Sequence, residues 1–304
     1  MLLPSNNPIV TLESAPEIVK IADRALRAAG ARGKLPTPIE DLIRAAKVDD
    51  RDADGVLRRF LSSLNEGGRA FFRSSFQKVR GIADLRERAV YVPSDTAPRQ
   101  RFAKGHELGH QLIPWHHIGA DKVSSFYQDD DYTLSPLVQD IFDIEANFFS
   151  SEIIFQGRQF TQHARDYHPS FDAVFLLADL HGASRQATLR RYIEEQDEMV
   201  AGISYLPSRY AHVDGLPILR APRIVSSKVF VRKYGSIQLP AAIRPDHPWA
   251  EARNSKEICL GEIDLDCGGS SVRFEWQAWW NTYTLLVLLR RRPALGIVSK
   301  ILQA

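Results

Sequence analysis

Two histidines four residues apart, His106 and His110, enclose a glutamate and carry the clearest chemistry in the sequence. Residues at this spacing lie about 40° apart around a helix axis, so both imidazoles leave one face and can bind the same ion. Zinc favours such nitrogen ligands, and a catalytic zinc keeps one position for water. Because zinc lowers the pKa of that water to about 7, Glu107 can accept its proton as a general base. The pattern predicts the site of a zinc-dependent endopeptidase.

A third protein ligand must come from another part of the chain, and two residues are candidates. His116 lies where the pattern H-E-x-x-H-x-x-G-x-x-H has its last histidine, but position 113 is Ile instead of the Gly that this turn requires. Glu145 lies on a second predicted helix, Asp140–Phe155, and a set of two histidines and one glutamate binds zinc in thermolysin. The sequence favours Glu145 and leaves His116 as the alternative.

Two stretches of the chain carry a resemblance to a known family. Arg101-Phe-Ala-Lys-Gly-His-Glu-Leu-Gly-His110, followed by Asp143-Ile-Glu-Ala-Asn-Phe-Phe-Ser-Ser-Glu-Ile-Ile154, resembles the paired motifs of the ImmA/IrrE metallopeptidases. The resemblance extends over residues 36–192 and does not reach the C-terminal third. It implies that Glu145 is the third zinc ligand, that Glu107 is the catalytic base and that each chain binds one zinc ion.

Two positions depart from the family pattern. Gly105 stands where the family commonly has Ala, and Gln156 stands where a Pro commonly ends the second motif. Neither residue is a predicted ligand. Members of the family typically cleave helix-turn-helix repressors and thereby release stress, prophage or defence genes. The resemblance therefore implies a repressor of that kind as the substrate.

The elements that must hold these residues predict an α+β protein of two domains. Residues 1–199 are expected to form a mainly helical, zincin-like metallopeptidase domain, with a small antiparallel sheet from a hairpin at 78–92. After residue 200, short β-like stretches broken by Pro and Gly predict a β-rich domain over 200–304. Family members with a long C-terminal extension resemble GAF-type sensor domains there, which implies a regulatory role for this domain.

A helical segment at 171–196 has the pattern of a helix-turn-helix. Gly182 ends its first helix and Ser184 can cap the second, which carries Arg185, Arg190 and Arg191. One interpretation lays the second helix against DNA. The other is a helical pair that packs under the peptidase core and uses its arginines in surface ion pairs. The sequence favours the second interpretation.

The composition of the C-terminal third is typical of a region that binds nucleic acid. Residues 200–304 hold 14 Lys and Arg against 8 Asp and Glu, and four of the five tryptophans. Aromatic side chains interleaved with arginines suit single-stranded DNA, because bases stack on the rings while Arg neutralises phosphate. Arg290, Arg291 and Arg292 are the predicted contacts, and DNA is the predicted activator. The competing hypothesis is a DNA-binding transcriptional regulator whose metal site is structural or inactive.

Composition and the two cysteines set the remaining expectations. A hydrophobic content of 44% and a charged content of 25% are typical of a soluble globular protein. No apolar run approaches the roughly 20 residues of a membrane span, and no export signal is visible, so we expect a cytoplasmic protein without a membrane partner. Cys267, which we expect in a flexible Gly-rich turn, is a candidate latch, because a thiolate on zinc would displace the catalytic water.

Overall fold

The computed structural model describes residues 12–52, 55, 82–85, 87–92, 96–117, 136–213 and 215–291 of an α+β protein. These residues form two compact units. One contains the chain up to Phe160 together with Ala178–Ser184, and the other contains Thr161–Leu177 and the chain from Arg185 onward. Helices that the sequence analysis grouped with the metal motif therefore belong largely to the unit of the C-terminal strands. No helix in the described ranges combines the length and apolar content that crossing a bilayer requires.

The first unit is built around four helices: α1 (Ala15–Ala28), α2 (Ile39–Ala45), α3 (Ala97–Leu112) and α4 (Pro136–Phe155). Helix α3 carries the metal motif and begins after Thr96, with Pro98 in its first turn, where a missing N–H costs no hydrogen bond. It ends at Leu112 because Pro114 pushes the preceding residue into an extended conformation. A 3₁₀ helix, Pro114–His117, follows directly.

A small three-stranded sheet supports the back of α3. Its strands are β1 (Asp49–Asp52), β2 (Ile82–Asp84) and β3 (Ala89–Val92), in the order β1-β3-β2. The pair β2–β3 is antiparallel, as the predicted hairpin requires, but β1 pairs with β3 in parallel, so the sheet is mixed. Residues 78–81 of the predicted hairpin lie outside the described ranges. The buried amide of Gln111 on α3 donates hydrogen bonds to the carbonyls of Asp84 and Ala89 and thereby ties the helix to this sheet.

Three helices lead from the first unit into the C-terminal strands: α5 (Arg158–Arg165), α6 (Phe171–His181) and α7 (Arg185–Glu195). A six-stranded antiparallel sheet follows in the order β6-β5-β4-β9-β8-β7, which confirms the β-rich C-terminal third. Its strands are β4 (Val200–Val213), β5 (Leu216–Ser226), β6 (Ala242–Ile243), β7 (Cys259–Cys267), β8 (Ser270–Trp280) and β9 (Leu285–Arg290).

Both faces of this sheet are covered. Helix α8 (Lys228–Tyr234), the 3₁₀ helix Pro248–Ala250 and α9 (Glu251–Ser255) contribute to the core on one face, where Phe230 and Trp249 are fully buried. Helix α7 lies on the other face, over Gly202, at which a Cβ would meet Ile193 and Leu189. Strand β9 lies between β4 and β8, and its side chains are therefore buried on both faces.

The helix-turn-helix pattern corresponds to α6 and α7, which are joined by a turn at Gly182 with a φ of 62°. The apolar face of α7 packs on the C-terminal sheet. Its arginines also have partners inside the unit: Arg185 stacks 4.2 Å from the Phe175 ring centroid, and Arg190 and Arg191 form ion pairs one helical turn further on. The ion pairs match the helical-pair interpretation, but α7 packs on the C-terminal sheet and not under the peptidase core that this interpretation assumed.

Candidate metal centre

Helices α3 and α4 cross at unusually short range because two glycines face α4. A Cβ added at Gly105 would lie 2.5 Å from Ser150 Oγ, and one at Gly109 would lie 3.2 Å from Ala146 Cα. Ser150 itself donates a hydrogen bond of 2.8 Å to the carbonyl of Phe102 across the same crossing. A methyl group at Gly105 would therefore displace the Ser150 hydroxyl from its hydrogen bond, which is a physical reason for glycine at this position.

Replacing Gly105 by Ala is expected to lower the free energy of unfolding, although Ala favours a helix by about 1 kcal/mol. The added methyl group displaces Ser150 Oγ, and overpacking of this kind costs about 1–3 kcal/mol. In the Gly105→Ala/Ser150→Ala double variant the methyl group gains room. In urea denaturation, the loss of unfolding free energy in the double variant should be smaller by about 1 kcal/mol than the sum of the losses in the two single variants. Strictly additive costs would contradict the close approach.

The second departure, Gln156, is explained by the backbone at the end of α4. Its φ of 52° is a left-handed conformation that the ring of Pro cannot adopt. The Gln156 amide also braces the loop after α1, since it donates to the carbonyls of Ala31 and Lys34 and accepts a hydrogen bond from the Gly33 N–H. Both departures from the family pattern thus serve the packing of the helices that hold the site.

The imidazoles of His106 and His110 point their Nε2 atoms at each other, 3.1 Å apart. The other nitrogen of each ring has its own partner: His106 Nδ1 lies 3.1 Å from Asn147 Oδ1, and His110 Nδ1 lies 3.0 Å from His116 Nδ1. Because Asn147 Oδ1 only accepts, His106 carries its proton on Nδ1 and directs a bare Nε2 lone pair at His110. This arrangement is the one expected of metal-binding histidines whose outer nitrogens are oriented by neighbouring acceptors.

Asp143 on α4 completes the group. Its Oδ1 lies 3.6 Å from His110 Nε2 and 3.9 Å from His106 Nε2. One atom from each of these three residues lies within 4.8 Å of the others, so His106, His110 and Asp143 form a set that can hold a metal ion. The sequence analysis missed Asp143, although a signal existed: Asp143 and Asn147 are one helical turn apart and flank Ala146, the small residue that faces Gly109.

The structure brings neither of the two predicted third ligands into this set. Glu145 is two residues from Asp143, which is about 200° around the helix, so only one of the two acids can face the histidines. Glu145 is 4% exposed and accepts hydrogen bonds from Ser14 Oγ, Trp115 Nε1 and His116 Nε2. His116 contacts the outer nitrogen of His110, on the side away from the paired Nε2 atoms.

Glu107, the predicted base, is buried at 5% exposure beside the histidine pair. Burial, reinforced by the nearby Asp143 carboxylate, raises the pKa of Glu107 to about 8. No side chain of the described residues donates a hydrogen bond to this carboxylate. Burial also lowers the pKa values of His106 and of His116 to about 4, so both imidazoles are neutral at pH 7 and keep a lone pair.

These observations fit a divalent metal ion and explain features that the protein alone leaves unfavourable. The lone pair of His106 Nε2, 3.1 Å from His110 Nε2, needs either a proton on His110 Nε2 or a cation between the two atoms. A buried carboxylate without a donor is unfavourable unless it is protonated or receives a hydrogen bond from a bound molecule. His106, His110 and Asp143 would hold such a cation next to the buried Glu107.

Cys267 is placed differently from the expectation of a flexible turn. It is the last residue of β7, 9% exposed, and its side chain belongs to the core of the C-terminal sheet. The turn consists of Gly268 and Gly269, which have positive φ values of 65° and 89°. Burial raises the pKa of the Cys267 thiol, which disfavours the thiolate that a latch would need.

Two of the three predicted nucleic-acid contacts have partners within the C-terminal unit. Arg290 forms an ion pair of 2.9 Å with Glu275 and donates to the carbonyl of Pro169, while Arg291 donates to Tyr234 Oη at 2.7 Å. Arg292 lies outside the described residues. Trp249 and Trp276, two of the four C-terminal tryptophans, are buried, so these rings serve the core and offer no face to a base.

Comparisons with known proteins identify a similar fold and no sequence relative. No family model matches the chain, and no curated protein is similar to it in sequence. Among solved structures, a Mycobacterium tuberculosis transcriptional regulator is similar to it, with a TM-score of 0.50 and 12% sequence identity. The match covers 90% of this chain and 76% of that chain. At this identity the likeness concerns the fold alone.

Proposed function

We propose that this protein is a zinc-dependent endopeptidase of the ImmA/IrrE type, with a zincin-like site held by His106, His110 and Asp143. The observation that carries the proposal is the pair of facing Nε2 atoms, 3.1 Å apart, beside the buried Glu107. Two imidazoles and a carboxylate form an open three-ligand set of the kind used in catalytic zinc sites. A site with only a structural role would be expected to close with a fourth Cys or His ligand.

The chain's own residues then divide the work of hydrolysis. When bound, a zinc ion supplies Lewis-acid chemistry at this site. Glu107, buried next to the histidine pair, would take the proton from the attacking water and pass it to the leaving amine. Asn147 holds His106 in the tautomer that leaves Nε2 free, and the tight crossing of α3 and α4 keeps Asp143 at the same point.

The proposed substrate is a helix-turn-helix repressor, and the proposed activator is DNA acting through the C-terminal unit as a sensor. Support for the substrate comes from the sequence motifs that the chain shares with the ImmA/IrrE family. Support for DNA comes from the excess of 14 basic over 8 acidic residues in 200–304. Because the charge of Arg290 is already neutralised by Glu275, a DNA surface would use other basic residues of this region.

The proposal is tested by co-incubating the purified protein with a helix-turn-helix protein encoded beside its gene, with and without single-stranded DNA. Metal analysis should find zinc rather than iron, an alternative that two histidines and a carboxylate also suit. A strong chelator should stop cleavage, and added zinc should restore it. Cleavage that persists in the metal-free protein would contradict the assignment.

A transcriptional regulator with an inactive metal site is the second candidate. Its support is the fold likeness to a protein described as a transcriptional regulator. This candidate predicts sequence-dependent DNA binding that needs neither zinc nor Glu107, and no cleavage of any repressor. The Glu107→Gln variant therefore separates the two functions. It should lose repressor cleavage if the protein is a peptidase, and it should keep sequence-dependent DNA binding if the protein is a regulator.

A further inference from the structure

The buried carboxylate of Glu145 is saturated by donors from three parts of the first unit. Ser14, just before α1, donates to Oε1, while Trp115 Nε1 and His116 Nε2 donate to Oε2 at 2.7 and 2.8 Å. An ionised carboxylate only accepts, so these three hydrogen bonds satisfy it without any metal contact. Glu145 is thus held away from the metal-binding set by partners that it would have to give up to become a ligand.

His116 connects this carboxylate to the metal-binding set. It is 2% exposed, and its ring stacks on Phe142 with a centroid distance of 4.3 Å, which fixes the ring plane. A neutral imidazole donates from one nitrogen and accepts with the other. Because Glu145 must receive the proton on Nε2, the Nδ1 of His116 carries a lone pair that accepts a hydrogen bond from His110 Nδ1.

The carboxylate of Glu145 determines the direction of the hydrogen bonds that link it to His116 and His116 to His110. If Glu145 accepts from His116 and His116 accepts from His110, the proton of His110 lies on Nδ1, and the atom left to bind a metal ion is Nε2. That atom is the one that faces His106 Nε2 at 3.1 Å. With the opposite assignment, two acceptors would face each other between Glu145 and His116 at 2.8 Å.

We propose that Glu145 and His116 are positioning residues that orient and polarise His110 for a divalent metal ion, an inference that rests on the proposed metal site. Negative charge on Glu145 is relayed through His116 and makes His110 Nε2 a stronger donor to the metal. His106 Nδ1 instead faces the neutral amide of Asn147. The two histidines of the motif are therefore unequal ligands, and His110 is the stronger one.

The Glu145→Gln variant tests the relay because it keeps the shape and an acceptor oxygen but removes the charge. Zinc affinity, measured by competition with a chelating dye, should fall about 10-fold, as for other changes behind metal ligands. The visible spectrum of the cobalt-substituted protein should keep its band positions, since all three ligands remain. Glu152→Gln is the matched control, because it neutralises another buried carboxylate on α4 and should leave zinc affinity unchanged.

Metal-free wild-type protein provides a second test that needs no variant. In nitrogen-15 spectra of histidine-labelled protein, His116 should be protonated on Nε2 and His110 on Nδ1. The reverse tautomers would overturn the relay, and so would an unchanged zinc affinity in Glu145→Gln or an equal fall in Glu152→Gln. An altered cobalt spectrum in Glu145→Gln would make Glu145 a ligand and overturn the relay while the metal site stands. A wild-type protein that binds neither zinc nor cobalt would remove the metal site itself, and the relay with it.

Discussion

The Glu107→Gln protein is expected to bind zinc like the wild type and to cleave its repressor at least about 100-fold more slowly. Glutamine has nearly the same shape as glutamate but cannot accept the proton of the attacking water. Among the described residues, none has a side chain that donates a hydrogen bond to Glu107. Zinc content and the initial rate of repressor cleavage are measured on the same preparation.

One control variant and two contrary outcomes make the Glu107→Gln experiment decisive. Glu152→Gln changes another buried glutamate, on α4, and should retain both zinc and cleavage. Substantial cleavage by Glu107→Gln would show that another group accepts the proton, and the general-base assignment would be wrong. Loss of zinc from the same variant would instead make Glu107 part of the metal-binding set.

The second large effect is expected at the metal ligands. His110→Ala and Asp143→Ala should each lower zinc affinity by more than the about 10- to 100-fold that outer-shell changes cost, because each removes a direct donor. Both proteins should therefore be purified largely without zinc and should not cleave the repressor. Metal analysis after gel filtration measures this loss.

Asp41→Ala is a suitable control for Asp143→Ala, since Asp41 lies on α2 in an exposed ion pair with Arg44. Its zinc content should match the wild type. Full zinc occupancy in Asp143→Ala together with loss in Glu145→Ala would return the third-ligand role to Glu145. Loss of zinc in His116→Ala alone would instead make His116 the third ligand, beside His106 and His110.

The part of the site that lies on one helix could be predicted from the sequence, and the part that depends on packing could not. His106, Glu107 and His110 share a helix, so their spacing alone determines which face each side chain takes. The choice between Asp143 and Glu145 depends on which face of α4 turns toward α3. That orientation is set where Ala146 meets Gly109, a contact between residues far apart in sequence.

The C-terminal unit shows the same limit in its charges and strands. The β-rich prediction for 200–304 is confirmed at β9, where the apolar run Leu285–Leu289 suits a strand that is buried on both faces. The arginines and tryptophans around it suggested a nucleic-acid surface, whereas the fold pairs Arg290 with Glu275 and buries Trp276. Composition counts charges but cannot tell which of them find partners within the fold.

The position of β9 also determines when during synthesis the C-terminal sheet can be completed. This strand is the last in the chain order of the sheet, yet it lies at the centre, between β4 and β8. Until the ribosome has released residue 290, β4 and β8 each present an unpaired edge, and such edges are prone to pair with other chains. A nascent or truncated chain that stops after Thr284 therefore exposes two unpaired strand edges at once. We expect chaperones and cellular proteases to bind such a chain.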